Sequence, residues 1–461
     1  MKHIINSTNY TSTIPENITH LVIDRYYDQN KFGKIPNTVK KLEIGRHFRG
    51  CLKNYIPDGI KYLTISSKYI DSITNYIPDS VKCLIINSDI RFFKYSDSIP
   101  KNVRKLIINS KYCCDLYNNL PDNLKYLEFG DYFNSDITEC IPESVETLIF
   151  GFEFNKSIDY GLPKNLKKLV FGRNFNRPIN YLPENLEHLE FGSKFNSSIV
   201  KLPNNLKRLK LSDEFNQSVN NILPNTLEYL EFGIEYNTPI KILPLNLKYL
   251  KFGSKFDQSI DYILPDTLEC LVFGYRFNTP IKNKLPNGLK ILIFGNMFNQ
   301  SIKNILPDYL EKIVLGNQFN KPIGDIIYET STLNNVLKFF IKMPNEIIEV
   351  NKYLPESLTS LTVGFNTDSS LSLVIPVNVN HLVLQSYRKN ISKIPKSVIE
   401  LELGWGFDCP DNFIKEMLTS NIKKIKLNIK FYDKISIHLP KHNIVNKADN
   451  FVTINILDNK L

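Results

Sequence analysis

The chain has 461 residues, 57 of them Lys or Arg against 47 Asp or Glu, a formal net charge of +10 at pH 7, and 42% hydrophobic residues. That is ample apolar content for a core, yet no stretch approaches the roughly 18 to 20 apolar residues of a membrane-spanning helix. The start, Met1-Lys2-His3-Ile4-Ile5-Asn6, lacks the apolar run and small-residue cleavage site of a secretory signal, so an intracellular location, the cytoplasm of a host or source cell, is expected.

Taken in order, Lys2 to Ser7 echoes Cys83 to Ser88 and Lys105 to Ser110, so residues 1–13 read as a truncated half-repeat. Residues 14–323 form a repeat array. A proline following Leu or Ile opens each turn, at Pro15, Pro36, Pro57, Pro78, Pro100, Pro121 and onward to Pro307, with intervals of 20 to 22 residues. The first five turns keep the proline and the strand pattern, as in Ile35-Pro36 with Val39, Leu42 and Ile44-Gly45. From Leu120 the unit is fuller: Leu120-Pro121, Leu124, Leu127, Phe129-Gly130, Phe133-Asn134 and Ile137, with Phe-Asn pairs recurring to Phe319-Asn320. Residues 324–353 lose the phase and read as an irregular or degenerate repeat, in which Val336 to Ile341 is strand-like and Met343-Pro344 a decayed start. Repeats resume over 354–408, at Leu354-Pro355, Ile375-Pro376 and Ile394-Pro395. Residues 409–461 read as a C-terminal cap with a short helix over Pro410 to Ser420 and a strand over Ile422 to Asn428.

One unit cannot fold alone. Its six or so apolar side chains yield roughly 10 to 15 kcal/mol on burial, while ordering about 21 residues costs on the order of 20 to 40 kcal/mol. The expected fold is therefore a repeat solenoid: a parallel β-sheet with one short strand per turn of about 21 residues, and little helix. Within a unit the alternation places Leu127 and Phe129 inward and Tyr126, Glu128 and Gly130 outward. The Phe and Ile after each Gly fill the core. Each Asn of the Phe-Asn pairs is expected to be buried, its amide pairing with adjacent turns as a ladder.

The run Leu-Pro-x-x-Leu-x-x-Leu-x-Phe-Gly-x-x-Phe-Asn-x-x-Ile resembles the FNIP repeat, a relative of the leucine-rich repeat, over Leu120 to Ile323 and in weaker form over Ile14 to Asn119 and Leu354 to Phe407. The resemblance implies a solenoid of leucine-rich-repeat type. Together with the abundance of Asn, Lys, Ile and Tyr and the single alanine, Ala448, which point to an AT-rich genome, it is similar to proteins of social amoebae and of amoeba-infecting giant viruses such as mimivirus. Many FNIP proteins resemble the substrate-binding half of an F-box protein. No F-box segment is visible before Ile14-Pro15, so a ubiquitin-ligase role would need a ligase supplied in trans.

Function is sought in the outward strand positions, which are free to vary. The candidate partner-binding face is Tyr126, Lys168, His188, Glu190, Arg208, Lys210, Tyr229, Glu231, Tyr249 and Lys251, where Tyr and Arg are typical interface anchors. The glycines that follow the strands, such as Gly151, Gly172 and Gly192, either leave a low strip for a partner or answer a backbone angle at the strand exit. Val272, Ile291, Ile293 and Val314 continue the columns as an apolar stretch, either for a partner or covered by the segment from Lys321 to Tyr353. No catalytic, metal or cofactor residue is assigned. The seven histidines lie outside any triad or ligand pattern, Pro440 breaks the His438 and His442 pair, and the seven cysteines show no C-x-x-C spacing and read as reduced thiols. The expected protein is a non-enzymatic scaffold for a protein partner of unknown identity, not a membrane protein. A nucleic-acid-binding solenoid is the alternative, weakened by Glu190 and Glu231 among the cations.

Overall fold

The computed structural model describes residues 2–5, 14–24, 34–49, 56–67, 76–87, 99–109, 120–328, 347–364, 374–385, 394–404, 420–429, 444–448 and 451–456, with Met417 and Tyr432. The chain forms two compact units, Met1–Gly233 and Ile234–Leu461.

In the first unit, strands of three or four residues run from Lys2–Ile5 and His20–Ile23 through Tyr126–Phe129 to Tyr229–Glu231. Each is parallel to the next, residue beside residue: Leu106 beside Leu127, Leu127 beside Leu148, Leu148 beside Leu169. The strands are short because the alternation lasts only over Leu-x-Phe or Leu-x-Ile. A turn precedes each strand, as where Leu124 N–H bonds the Pro121 carbonyl at 3.1 Å. The proline supplies the acceptor and, lying outside the ladder, removes no donor from it.

Behind the sheet stand two files of phenylalanines. Phe129 and Phe133 of one turn stack 3.9 Å apart between ring centroids, and Phe133 continues to Phe154 at 5.8 Å and Phe154 to Phe175 at 6.0 Å. The rings are buried, Phe154 and Phe175 completely. Burial of each contributes about 2 kcal/mol, and each offset pair adds up to about 1 kcal/mol. Every Phe therefore does half its packing against the neighbouring turn, which is why the repeat exists only as an array.

Two expectations about this packing are corrected. The asparagines form the ladder but lie at the surface: Asn134, Asn176 and Asn196 are exposed and Asn155 half-buried. Asn134 Oδ1 accepts from the Asn155 amide at 2.9 Å, Asn155 Oδ1 from Asn176 at 3.0 Å, and Asn176 Oδ1 from Asn196 at 2.9 Å. Only the acceptor oxygen serves the next amide, so a carboxylate fits as well, and in the second unit Asp257 receives the Asn278 amide at 2.8 Å. The glycines, in turn, answer no unusual backbone angle: among the described residues Gly59 alone has a glycine φ in the left-handed region. A Cβ on Gly172 would lie 1.8 Å from the Gly151 carbonyl oxygen, and one on Gly192 2.0 Å from that of Gly172. Successive turns touch through these carbonyls, and that contact is what requires glycine.

The variation in turn length is absorbed at the corner before each Leu-Pro or Ile-Pro. Corners with an extra residue place it in the left-handed conformation, Glu139 (φ 57°), Tyr160 (φ 62°) and Asn221 (φ 68°), a strained choice for a side chain such as Tyr. The shorter corners instead bond across turns, as where Val200 N–H meets the Ile179 carbonyl at 3.0 Å.

In the second unit the same ladder runs through Tyr249–Lys251, Cys270–Val272, Ile291–Ile293 and Lys312–Val314. Lys312–Val314 then pairs directly with Ser360–Val363, so the sheet bypasses the excursion that opens at Gly324 and continues in register through His381–Leu384, Glu400–Leu403 and Lys424–Asn428. The excursion begins and ends in an antiparallel pair, Gly324–Tyr328 with Ile347–Lys352. Lys303, on the side of the turn away from the sheet, bonds Asp325 at 2.9 Å and lies 5.2 Å from the Tyr353 ring centroid. The base of the excursion is thus anchored away from the apolar stretch at Val272, Ile291, Ile293 and Val314. The expected strand at Val336 to Ile341 and the repeat start at Met343-Pro344 lie outside the described residues, as does most of the expected helix at Pro410 to Ser420. The parallel ladder ends at Phe451–Asn455, which runs antiparallel both to Lys424–Asn428 and to Ile444–Ala448.

Substituting Gly172→Ala drives a methyl into the Gly151 carbonyl, and a loss of about 3 kcal/mol is expected from overpacking against immobile backbone. Chemical denaturation of the variant measures it. A loss below about 0.5 kcal/mol would mean that the turns can spread apart.

Candidate partner-binding face

The outward side chains stand in two columns. In the first unit Lys168, His188, Arg208 and Tyr229 share one, and Val170, Glu190, Lys210 and Glu231 the other. Tyr126 occupies the first column further back, beside Lys105 and Thr147. Arg208 is exposed and the others half-buried, since neighbouring columns shield one another. Tyr249 and Lys251 hold the corresponding positions in the second unit and are half-buried there.

These groups are ordered by one another. The Arg208 guanidinium lies 4.0 Å from the centroid of the Tyr229 ring, whose hydroxyl donates to Glu231 Oε2 at 2.5 Å. Lys210 Nζ meets Glu190 Oε1 at 2.9 Å, and His188 Nε2 stands 3.8 Å from Glu190 Oε2. His188 and, in direct contact, Lys210 hold the Glu190 carboxyl down to about 2, against partial burial that acts in the opposite sense. Lys210 is pushed up in return by Glu190. At Tyr126 the Lys105 ammonium lies 4.0 Å from the ring centroid, and the hydroxyl donates to Glu128 Oε2 at 2.5 Å. Partial burial first, then the Glu128 carboxylate, raise the Tyr126 phenol above its ordinary range. Among the described residues no group of three or more His, Cys, Asp or Glu is placed to hold a metal ion.

A third column escaped the sequence reading. The residue immediately after the apolar side chain three positions beyond each proline, as Lys125 follows Leu124, lines the edge where the strands begin, and its carbonyl receives the amide from the next turn: Lys61 N–H to Lys40, Lys82 to Lys61, Arg104 to Lys82 and Lys125 to Arg104, at 2.8 to 2.9 Å. Down this edge the first unit reads Lys40, Lys61, Lys82, Arg104, Lys125, Glu146, Lys167, Glu187, Lys207, Glu228. From Lys125 onward the signs alternate, and Glu146 is held between Lys125 at 2.8 Å and Lys167 at 3.0 Å, while Glu187 takes Lys207 at 3.0 Å. In the second unit Lys248, Glu269, Lys290 and Glu311 also alternate, with Lys290 on Glu269 at 2.9 Å. After Thr19, whose carbonyl receives the Lys40 amide at 2.8 Å, the four members before Lys125 are all cations. The signal is present in the sequence but shows only when units are aligned and read down, not along.

The second unit has a cavity of about 430 Å³ at the corner between Asp261-Tyr262 and Asn283-Lys284. There a left-handed corner at Tyr262 (φ 64°) is followed by one in which Leu285 N–H bonds the Ile305 carbonyl at 2.8 Å.

Short parallel strands stacked one per turn, with Leu inward and a varied outward face, define a solenoid of the leucine-rich-repeat class. The sequence profile described as the FNIP repeat matches residues 11–47, 116–153, 154–194, 195–234, 236–276, 260–297, 277–317 and 298–327, together more than half of the chain, and the protein belongs to the FNIP-repeat family. Among solved structures it is similar to CroV588 of a giant virus, described as a novel circular leucine-rich-repeat protein, with 28% identity and a TM-score of 0.56 over 94% of this chain and 78% of that one. It is also similar to YopM from Yersinia enterocolitica, with 16% identity and a TM-score of 0.44 over 87% of this chain and 84% of the other. No protein of curated function matches the sequence. No helix among the described residues is long and apolar enough to cross a membrane.

Glu190 is ionised against His188 and Lys210 in the folded chain, with its carboxyl depressed, so its contribution is present above about pH 4.5 and is lost as pH falls toward about 2. In thermal melts, Glu190→Gln is expected to be less stable than the wild type at pH 6, with the difference closing by about pH 2. A difference that stays constant across that window would contradict the ionised contact.

Proposed function

We propose that this protein is a non-enzymatic interaction scaffold that binds a protein partner on the outward face of the first unit's sheet, with Arg208 and Tyr229 as its anchors. The observation that carries this reading is the mutual ordering of the central groups: Arg208 on the Tyr229 ring, Tyr229 on Glu231, and Lys210 on Glu190. Side chains already fixed on strands lose little freedom when a partner arrives, and a Tyr-Arg pair among polar groups has the composition of an interface anchor. Lys168, His188 and Glu190 extend the face on one side and Tyr126 lies in the same column further along; Tyr249 and Lys251 offer the same outward positions in the second unit.

The test is to recover partners on a tagged wild-type chain in its source or infected cell and to compare an Arg208→Glu, Tyr229→Ala variant. One direct partner is expected to bind wild type and to lose at least about tenfold in affinity with the variant. If every partner binds both equally, the outward face of the first unit is not the site. Ubiquitin-ligase subunits retained by both would instead support a substrate-recognition role with the ligase supplied in trans.

A further inference from the structure

The edge column from Lys40 to Lys125 differs from the rest of its own column. Beyond it the signs alternate to Glu228 in the first unit and from Lys248 to Glu311 in the second, with Lys-Glu pairs between turns at Glu146, Glu187 and Glu269, and past Glu311 the column reads Thr359, Asn380, Ile399 and Lys423. The exposed position accepts either sign, so alternation is available to any turn, and five successive turns decline it. Lys40, Lys61, Arg104 and Lys125 are exposed and Lys82 is half-buried. Among the described residues only Lys125 of the five is in an ion pair, with Glu146, while Lys40 donates to the Asn37 carbonyl at 3.2 Å. The backbone bonds hold these residues about one strand spacing apart at the main chain, roughly 4.8 Å, so their cationic side chains leave the edge side by side. Like charges so placed repel, and an external anion relieves them.

The adjoining column supplies aromatics. Lys61 is followed by Tyr62 and Lys125 by Tyr126, each Tyr standing on the outward face next to its lysine. Tyr62 is 55% exposed, well above the half-buried tyrosines of the central face. Asp58, Asp79 and Asp122 lie in the turns just before the edge, and Lys101 takes that place in the Arg104 turn; cations still outnumber them along the strip. A line of cations with rings alongside suits a chain that presents phosphates on one side and flat bases on the other.

We propose that the edge strip Lys40, Lys61, Lys82, Arg104 and Lys125, with Tyr62, is a binding site for single-stranded nucleic acid. It is separate from the Arg208 and Tyr229 face, so either can fail without the other. Cations at this spacing contact backbone phosphates, which carries no base sequence preference, and Tyr62 receives a stacked base.

The test uses the full chain and a fluorescent oligothymidylate of about 20 nucleotides in an anisotropy titration. Wild type is expected to bind, and its affinity to fall on the order of 50-fold between about 50 and 200 mM salt, as four phosphate contacts on a single strand require. Lys61→Glu with Arg104→Glu imposes on this strip the alternation the chain already uses elsewhere. That variant is expected to melt no lower than wild type and to lose at least about tenfold in affinity. Lys156→Glu with Lys194→Glu makes the same change in net charge at exposed positions off the strip and is expected to bind as wild type does. Tyr62→Ala is expected to weaken binding about tenfold. Absence of wild-type binding, an equal loss in the off-strip variant, or full affinity in Tyr62→Ala would overturn the proposal. So would displacement of the oligonucleotide by poly-glutamate at lower charge concentration than by unlabelled DNA, which would assign the strip to an acidic protein.

Discussion

The carbonyl oxygen of Gly151 occupies the place where a side chain on Gly172 would have to be, and the rest of the solenoid follows from that closeness. Parallel strands from successive turns can hydrogen-bond only at a fixed spacing, but the strands are three or four residues long and the turn is about 21 residues. The remaining residues of each turn must therefore accept the same spacing. They do so by touching: glycine on carbonyl beyond the strand, Phe on Phe in the core, and an Asn oxygen on the next amide at the surface. The αL residues at Glu139, Tyr160 and Asn221 show what happens to a residue too many. It is folded into a strained corner, because the spacing cannot yield.

A fold fixed so tightly by its inward and turn positions leaves chemistry to the positions that touch nothing essential. Three columns qualify, two on the sheet face and one along the edge where strands begin. Their side chains still interact from turn to turn, since each stands beside the same position in the next unit. Opposite charges in a column consolidate the array, as Lys125, Glu146 and Lys167 do. Like charges in succession, as at Lys40, Lys61 and Lys82, repel instead of consolidating it. On the binding proposed for the cationic stretch, the same column serves cohesion in one stretch and recognition in another, according to the order of signs.

The Leu-Pro spacing and the Leu-x-Phe alternation disclosed the parallel sheet because both are local: a strand's faces are set by period two wherever its partner lies. Three things were not legible in that way. The glycines suggested a backbone angle, the usual local reason for glycine, whereas their cause is the neighbouring turn about 21 residues away. Asn134 and its relatives disclosed a ladder but not their exposure, because recurrence beside a buried Phe says which residue repeats and not which way it faces. The direct pairing of Lys312–Val314 with Ser360–Val363 depends on where an irregular segment leaves and rejoins the sheet, which periodicity cannot report once the period is broken. On the candidate face, residue types and columns were readable; the contacts among Arg208, Tyr229, Glu231, Lys210 and Glu190 required register between strands.

The claim that turn-to-turn bonds outside the strands hold the array together is tested most directly by amide hydrogen exchange at Asn155, Asn176, Asn196 and Asn216. Three of these residues expose their side chains and Asn155 is half-buried, yet each amide is bonded to the oxygen of the preceding asparagine at 2.9 to 3.0 Å. Protection comparable to that of the strand amides, lost at Asn196 alone on Asn176→Ala, is the result that follows from this account. Exchange at the rate of an open surface loop in the intact chain would contradict it.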